Sequence, residues 1–360
     1  MLYRSIASLV LLASSALAQD ASSQIRAEVQ RLRQSLQADP IRDPQFAGNL
    51  ASTESLLKAA DDGVAAGRLY FALERLIAAS DFVQGARIAI AKTDAVKGKL
   101  PAFEEEWRSA SSALAARDQE LQRVDWSHTP AAIRALSEAA RTRSGPLLEG
   151  GHGFAVSTKP EDGLFYVGEA LAQADFAKFC AGLHYPRTAR PMALRSFLPE
   201  LLALQEKANA AFQPPRSIDS HPRFIALNST IKLARELDAS KSYAGALFQY
   251  LESVRHYGML FMPALDAAKQ TAMKQALAEA QTKLDASKDD DSILQIMLQR
   301  SASQVAHADG SAPTEDEWKS AQVTVDQVIP AYFAARKAPA TMHKTSTKTV
   351  DLTLVRWPYT

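Results

Sequence analysis

The sequence predicts an all-α fold: antiparallel helical hairpins in a repeat-like array or bundle, with a short C-terminal extended segment. Three observations carry this expectation. Apolar residues recur at spacings of three and four through most of the chain, clusters of proline and glycine interrupt that pattern, and one late stretch alternates with a period of two. The interruptions are short, so successive helices return antiparallel.

Residues 1–18 read as an export signal. Arg4 supplies the positive start, an apolar run follows to Ala16, and Ala16-Leu17-Ala18 has the small-x-small form of a cleavage site. The run is short for a membrane span, and no stop-transfer pattern follows. No twin arginine precedes it, which favours the general secretory route. Gln19 stands where a lipoprotein would carry its acylated cysteine, so the expectation is a periplasmic or secreted protein, cleaved after Ala18 and not lipid-anchored. With Arg4 set aside from the 41 basic residues, forty remain against forty acidic ones. That balance offers no field to gather nucleic acid or an anionic membrane.

The helices follow. In the first, Ile25, Val29, Leu32 and Leu36 line one face, with Ser22 or Ser23 as cap and Asp39-Pro40 as stop. Phe103, Trp107, Leu114 and Leu121 form a second stripe, and Glu104 to Glu106 sit where the helix dipole favours negative charge. Thr129-Pro130 reads as the cap and first position of a helix through Ala140. "DDDSILQIMLQR" opens a helix with three aspartates as dipole complement, since calcium-loop spacing is missing. Thr314 and Glu317 have capping-box spacing before a helix that ends near Ala335. About twelve helices result, with Leu73 and Phe248 among the core anchors.

Two segments depart from the pattern. "LLEGGHGFAVSTKP" puts three glycines around His152, and its "GFAVST" reads as a short strand. Val350, Leu352 and Leu354 alternate with Asp351 and Thr353 as a strand candidate. That strand would pair with Phe154 to Thr158, pack as an arm over the helices, or add to a partner's sheet edge. The resulting division is an N-terminal helical region 19–149, a glycine-rich linker loop 150–162, a C-terminal helical region 163–337 and an extended tail 338–360.

The chain also echoes itself. Ser55 to Ile77 and Ser229 to Leu251 lie 174 residues apart and share Ser55/Ser229, Lys58/Lys232, Ala60/Ala234, Ala65/Ala239, Ala72/Ala246 and Leu73/Leu247. Small residues alternate with large ones where two helices would meet. Leu56, Gly67, Leu69, Ala72 and Leu76 in one stretch, and Leu233, Tyr243, Ala246 and Tyr250 in the other, resemble the helix-turn-helix of tetratricopeptide repeats. The copies are not in tandem, and the family's closing proline is absent. Val167-Gly168 and Leu171 give a third, partial echo. The resemblance implies a helical array and recognition of a protein or peptide.

Signals for catalysis are missing. No zinc-protease, nucleophile-elbow or phosphate-loop motif occurs, and no cofactor or metal set is expected. Cys180 is the single cysteine and reads as a small buried apolar group. His256 follows Glu252 by four, which suggests an ion pair along one helix. His152 is read as part of a joint between helices rather than a general base. Arg187 and Arg190 in "HYPRTARP" are read as ordinary loop residues, with anion docking as the alternative. The expectation is therefore an exported helical protein that binds a protein or peptide through a concave face. The alternative is a hydrolase-like enzyme of unrecognised type near His152 or "HYPRTARP"; a third reading docks the C-terminal strand into a partner.

Overall fold

The computed structural model describes residues 20–39, 41–185, 189–213, 218–307 and 310–337. The expected export signal and the strand candidate of the tail lie outside the described residues. What is described is all-α, with no strand among the described residues. The helices are α1 (Ala21–Ala38), α2 (Pro44–Ala65), α3 (Leu69–Val96), α4 (Leu100–Leu121), α5 (Ala131–Ser157), α6 (Leu164–Ala181), α7 (Leu198–Ala211), α8 (His221–Ala239), α9 (Tyr243–Met259), α10 (Ala267–Asp285), α11 (Ser292–Gln304), α12 (Glu315–Val323) and α13 (Ile329–Lys337). A π-helical turn, Thr324–Val328, joins the last two into one rod.

The stripe on α1 is buried at Ile25, Val29, Leu32 and Leu36. Its cap is Asp20 rather than either serine: the Asp20 carboxylate accepts from the Ser23 backbone N–H at 2.8 Å. On α4, Phe103 and Leu121 are buried, while Trp107 and Leu114 pack against the core from its edge. The capping box forms at Thr314 and Glu317. Leu73 and Phe248 are both buried; each stabilises by about 1.5–3 kcal/mol. Nearly all the buried apolar residues form one cluster from Ala21 to Ala335.

The linker loop expected at 150–162 is largely helix. α5 runs unbroken from Ala131 through Ser157, past Pro146 and all four of its glycines, and "GFAVST" is its last turn rather than a strand. Only residues 158–163 make the bend into α6, closed by a 3-10 turn at Pro160–Gly163. Packing overrides glycine's weak helix propensity here. A Cβ at Gly151 would stand 2.9 Å from both the Gly163 carbonyl oxygen and the Tyr166 Cβ, so glycine lets α5 close onto α6. The same device joins α3 to α6: a Cβ on Gly168 would fall 2.5 Å from the Gln84 carbonyl oxygen and 2.6 Å from the Gly85 Cα.

Both echoing stretches are helical hairpins, α2–α3 and α8–α9, and they match in detail. In the first turn Arg68 N–H donates to the Gly63 carbonyl and Gly67 N–H to that of Val64; in the second Ser242 donates to Leu237 and Lys241 to Asp238. These donors and acceptors are equivalent at the 174-residue offset. Gly67 and Lys241 both take positive φ, +72° and +61°. Neither α3 nor α9 has a local side-chain cap. Instead Gln299 Oε1 of α11 accepts from the backbone N–H of Tyr70 and Phe71, and Glu138 Oε2 of α5 accepts from Gly245, the equivalent of Phe71. Distant side chains satisfy the orphan donors that a helix start leaves.

Remote capping recurs at α5. Pro130 occupies its cap position, and the free N–H groups of Ala131 and Ala132 donate to Asp290 Oδ2 and Ser292 Oγ. The aspartate run thus serves another helix's dipole rather than that of α11 alone. Asp289 pairs with Arg190 and Arg336, and Asp291 accepts from the Tyr332 hydroxyl and from Arg336, each at 2.7 Å.

Candidate functional site

The residues singled out in the sequence do not come together. His152 lies half-buried on α5 with its ring 5.0 Å from that of Trp107 and 6.2 Å from that of Phe103, and it makes no hydrogen bond among the described residues. It is neither in a loop nor beside a nucleophile. Arg190 is held by Asp289 at 2.6 Å, and its backbone bridges the 288–290 strip; Arg187 lies outside the described residues. Cys180 is buried, and burial pushes its thiol pKa up, leaving an unreactive apolar group. No helix among the described residues is long and apolar enough to cross a membrane. No group of three or more His, Cys, Asp or Glu side chains suited to a metal occurs among them.

The structure points instead to an open cavity of about 1120 Å³. It is walled by α2, α3, α5, α6, α8, α9 and α11, so both echoing hairpins contribute. α3 presents Glu74, Arg75, Ala78, Asp81 and Phe82; α9 presents Phe248, Gln249, Glu252, Arg255 and His256. These five pairs are equivalent at the 174-residue offset. The two hairpins therefore turn the same face of their second helix towards one space, each with different chemistry. Apolar stretches of wall come from Ile77, Leu136, Leu147, Phe165 and Leu233. The size suits a small ligand or a few residues of a peptide.

The cavity has two electrostatic poles. At one, Arg300 of α11 pairs with both Glu74 and Glu252, and Arg255 pairs with Glu252 at 2.9 Å. All four side chains are at most 17% exposed. Burial opposes ionisation of Glu252, but the guanidinium groups of Arg300 and Arg255 outweigh it and hold its pKa at about 2. The expected Glu252–His256 ion pair does not form: Glu252 is taken by the two arginines. Burial, reinforced by Arg255, lowers the His256 pKa to about 4, so the ring is neutral at pH 7. Arg75 stands next to this network over the Phe71 ring, 4.8 Å from its centroid.

At the other pole Asp81 is buried on α3. Burial raises its pKa to about 7, against the charge of Arg143 and a 2.6 Å hydrogen bond from Gln173 Nε2. Its second oxygen, Oδ1, has no partner. Burial also raises the carboxyl of Glu169, again against Arg143. Arg75 Nε and Gln304 Oε1 are further buried polar atoms without partners at residues lining this cavity. Unsatisfied groups are costly in a folded interior, and their gathering here marks the cavity as a functional candidate.

Comparison with known protein families, with curated proteins and with solved structures finds no match. The chemistry of the cavity is accordingly the basis for its reading. Sequence reasoning missed the site because Glu74 and Arg300 are 226 residues apart and meet only in the fold. One local signal existed: Asp81 interrupts a helix that is apolar on nearly every side, between Leu76 and Val83.

Proposed function

We propose that this protein is exported and binds a peptide, or an extended segment of a protein partner, in the cavity between its two echoing hairpins. The observation that carries the reading is the shared face: equivalent positions of α3 and α9 line one open space and differ in charge and polarity. Duplicated hairpins that present non-equivalent side chains to one groove are suited to an asymmetric chain. The tetratricopeptide-like turns and the export signal in the sequence support the same reading. Among the described residues, no comparable arrangement surrounds His152 or Arg190 to favour the enzyme alternative.

The experiment is selection of displayed random peptides on the purified protein, followed by anisotropy measurements on the enriched sequences. An Ala78→Trp variant, which fills the cavity from α3, is the control. Enriched peptides should bind the wild type at micromolar Kd and at least tenfold more weakly to the variant, with circular dichroism unchanged. Absence of enrichment, or equal binding to a folded variant, would refute the reading.

A further inference from the structure

We infer that the cavity recognises a carboxylate on its ligand, at Arg75. This rests on the peptide-binding reading and deepens it by naming the group that the site selects. The charge count around Arg75 is the starting point. Its charged neighbours are Glu74, Arg300, Glu252 and Arg255. Three guanidinium groups thus share two carboxylates, and His256 beside them is neutral at pH 7. Arg300 and Arg255 consume both carboxylates through ion pairs. Arg75 is left with no ion pair or hydrogen bond among the described residues, only the face of Phe71.

A guanidinium in such a position carries a desolvation cost that the charges of Glu74 and Glu252, already paired to other arginines, and the Phe71 ring offset only in part. Its Nε is buried without an acceptor, although the side chain lines the cavity. Guanidinium presents planar, forked donors that match a carboxylate in two parallel bonds. One added negative charge would neutralise the cluster, whereas a polyanion would overshoot it. The opposite pole strengthens that limit. Asp81 and Glu169 share only Arg143 as counter-charge, and none of these three is among the charged neighbours of Arg75. With Asp81 protonated for part of the time at pH 7, Arg143 is matched by the carboxylates beside it and leaves no surplus cation for a second anionic group. The fit is to a peptide with one carboxylate, at its C-terminus or on an Asp or Glu side chain.

The test uses N-acetylalanine and its neutral counterpart N-acetylalaninamide, the smallest probes with a peptide bond that differ in the carboxylate. Binding to the wild type and to Arg75→Met is followed by saturation-transfer NMR, and thermal melting of both proteins is recorded without ligand. The carboxylate probe should bind the wild type at millimolar concentration and at least tenfold more tightly than the amide. Arg75→Met should lose that preference and melt at a higher temperature, because a half-buried cation without an ion pair of its own has been removed. Equal binding of the two probes to the wild type overturns the inference while the peptide selection still stands. No binding of either probe also overturns it, and the peptide selection then decides the wider reading separately. A variant that melts several degrees lower shows Arg75 to be compensated within the protein, and refutes the charge argument. The wild-type comparison needs no variant, so a folding failure of Arg75→Met leaves the inference open to refutation.

Discussion

Replacing Asp81 with asparagine removes a titration buried between α3 and α6 while keeping an acceptor for Gln173. The folded carboxyl titrates at about 7 and the ordinary value is 3.8. Between those values the native protein holds a proton that the unfolded chain has released. Stability from this group is therefore complete below pH 4 and is lost as pH rises through 7. About three pH units at about 1.4 kcal/mol each set a ceiling of about 4 kcal/mol. Water in the adjoining cavity reduces it, and about 2 kcal/mol is the expected size. Arg143 on α5 and Glu169 on α6 are the charged groups facing the carboxyl, and both persist in the variant. His256 has the opposite sign: with its folded pKa lowered to about 4 from 6.5, stability rises with pH through that window. The raw wild-type profile therefore mixes opposing slopes from several groups, and only the difference between the proteins isolates Asp81. Urea unfolding followed by circular dichroism at pH 4, 6 and 8 supplies that difference. The Asp81→Asn variant should match the wild type at pH 4 and exceed it by about 2 kcal/mol at pH 8. A gap independent of pH, or a variant weaker at pH 8, refutes the assignment.

Other substitutions test the packing and the caps. Gly168→Ala should cost about 1–3 kcal/mol by forcing α6 away from Gly85. Gly153→Ala, with nothing within 4 Å of the added methyl, should gain up to about 1 kcal/mol, which only a helical segment would show; thermal melts compare the two. Lys241→Gly should stabilise by about 0.5–1 kcal/mol, since the equivalent turn already uses Gly67 at positive φ; unchanged or lower urea stability contradicts this. Asp290→Ala should destabilise by about 1–3 kcal/mol through the stranded N–H of Ala131, and hydrogen exchange at that amide should accelerate.

The fold class was legible because helix periodicity is local. Ile25, Val29, Leu32 and Leu36 announce a face by themselves, and Thr314 with Glu317 announces a helix start. The glycines around His152 misled because propensity is a weak term beside the packing of α5 on α6, and a sequence does not show which glycine faces a neighbour. The starts of α3 and α9 were obscure for a related reason: their caps are Gln299 and Glu138, far away in the chain, and at α5 the start at Thr129-Pro130 was legible but its remote cap Asp290 was not. The cavity was the least legible feature. Its charges come from helices whose order of contact no spacing encodes; Glu252 and His256 were singled out as an ion pair, with the wrong partner assigned, and Phe248, Leu56 and Leu233 only as packing residues.

The aspartates at 289–291 carry a consequence for biogenesis. Tyr332 and Arg336 are among the last described residues to leave the ribosome, yet they complete the hydrogen bonding of Asp289 and Asp291. The adjoining Asp290 holds the first turn of α5, some 160 residues earlier. Until synthesis passes Arg336, Asp289 and Asp291 lack these partners, whereas the neighbouring Asp290 and Ser292 can already cap α5.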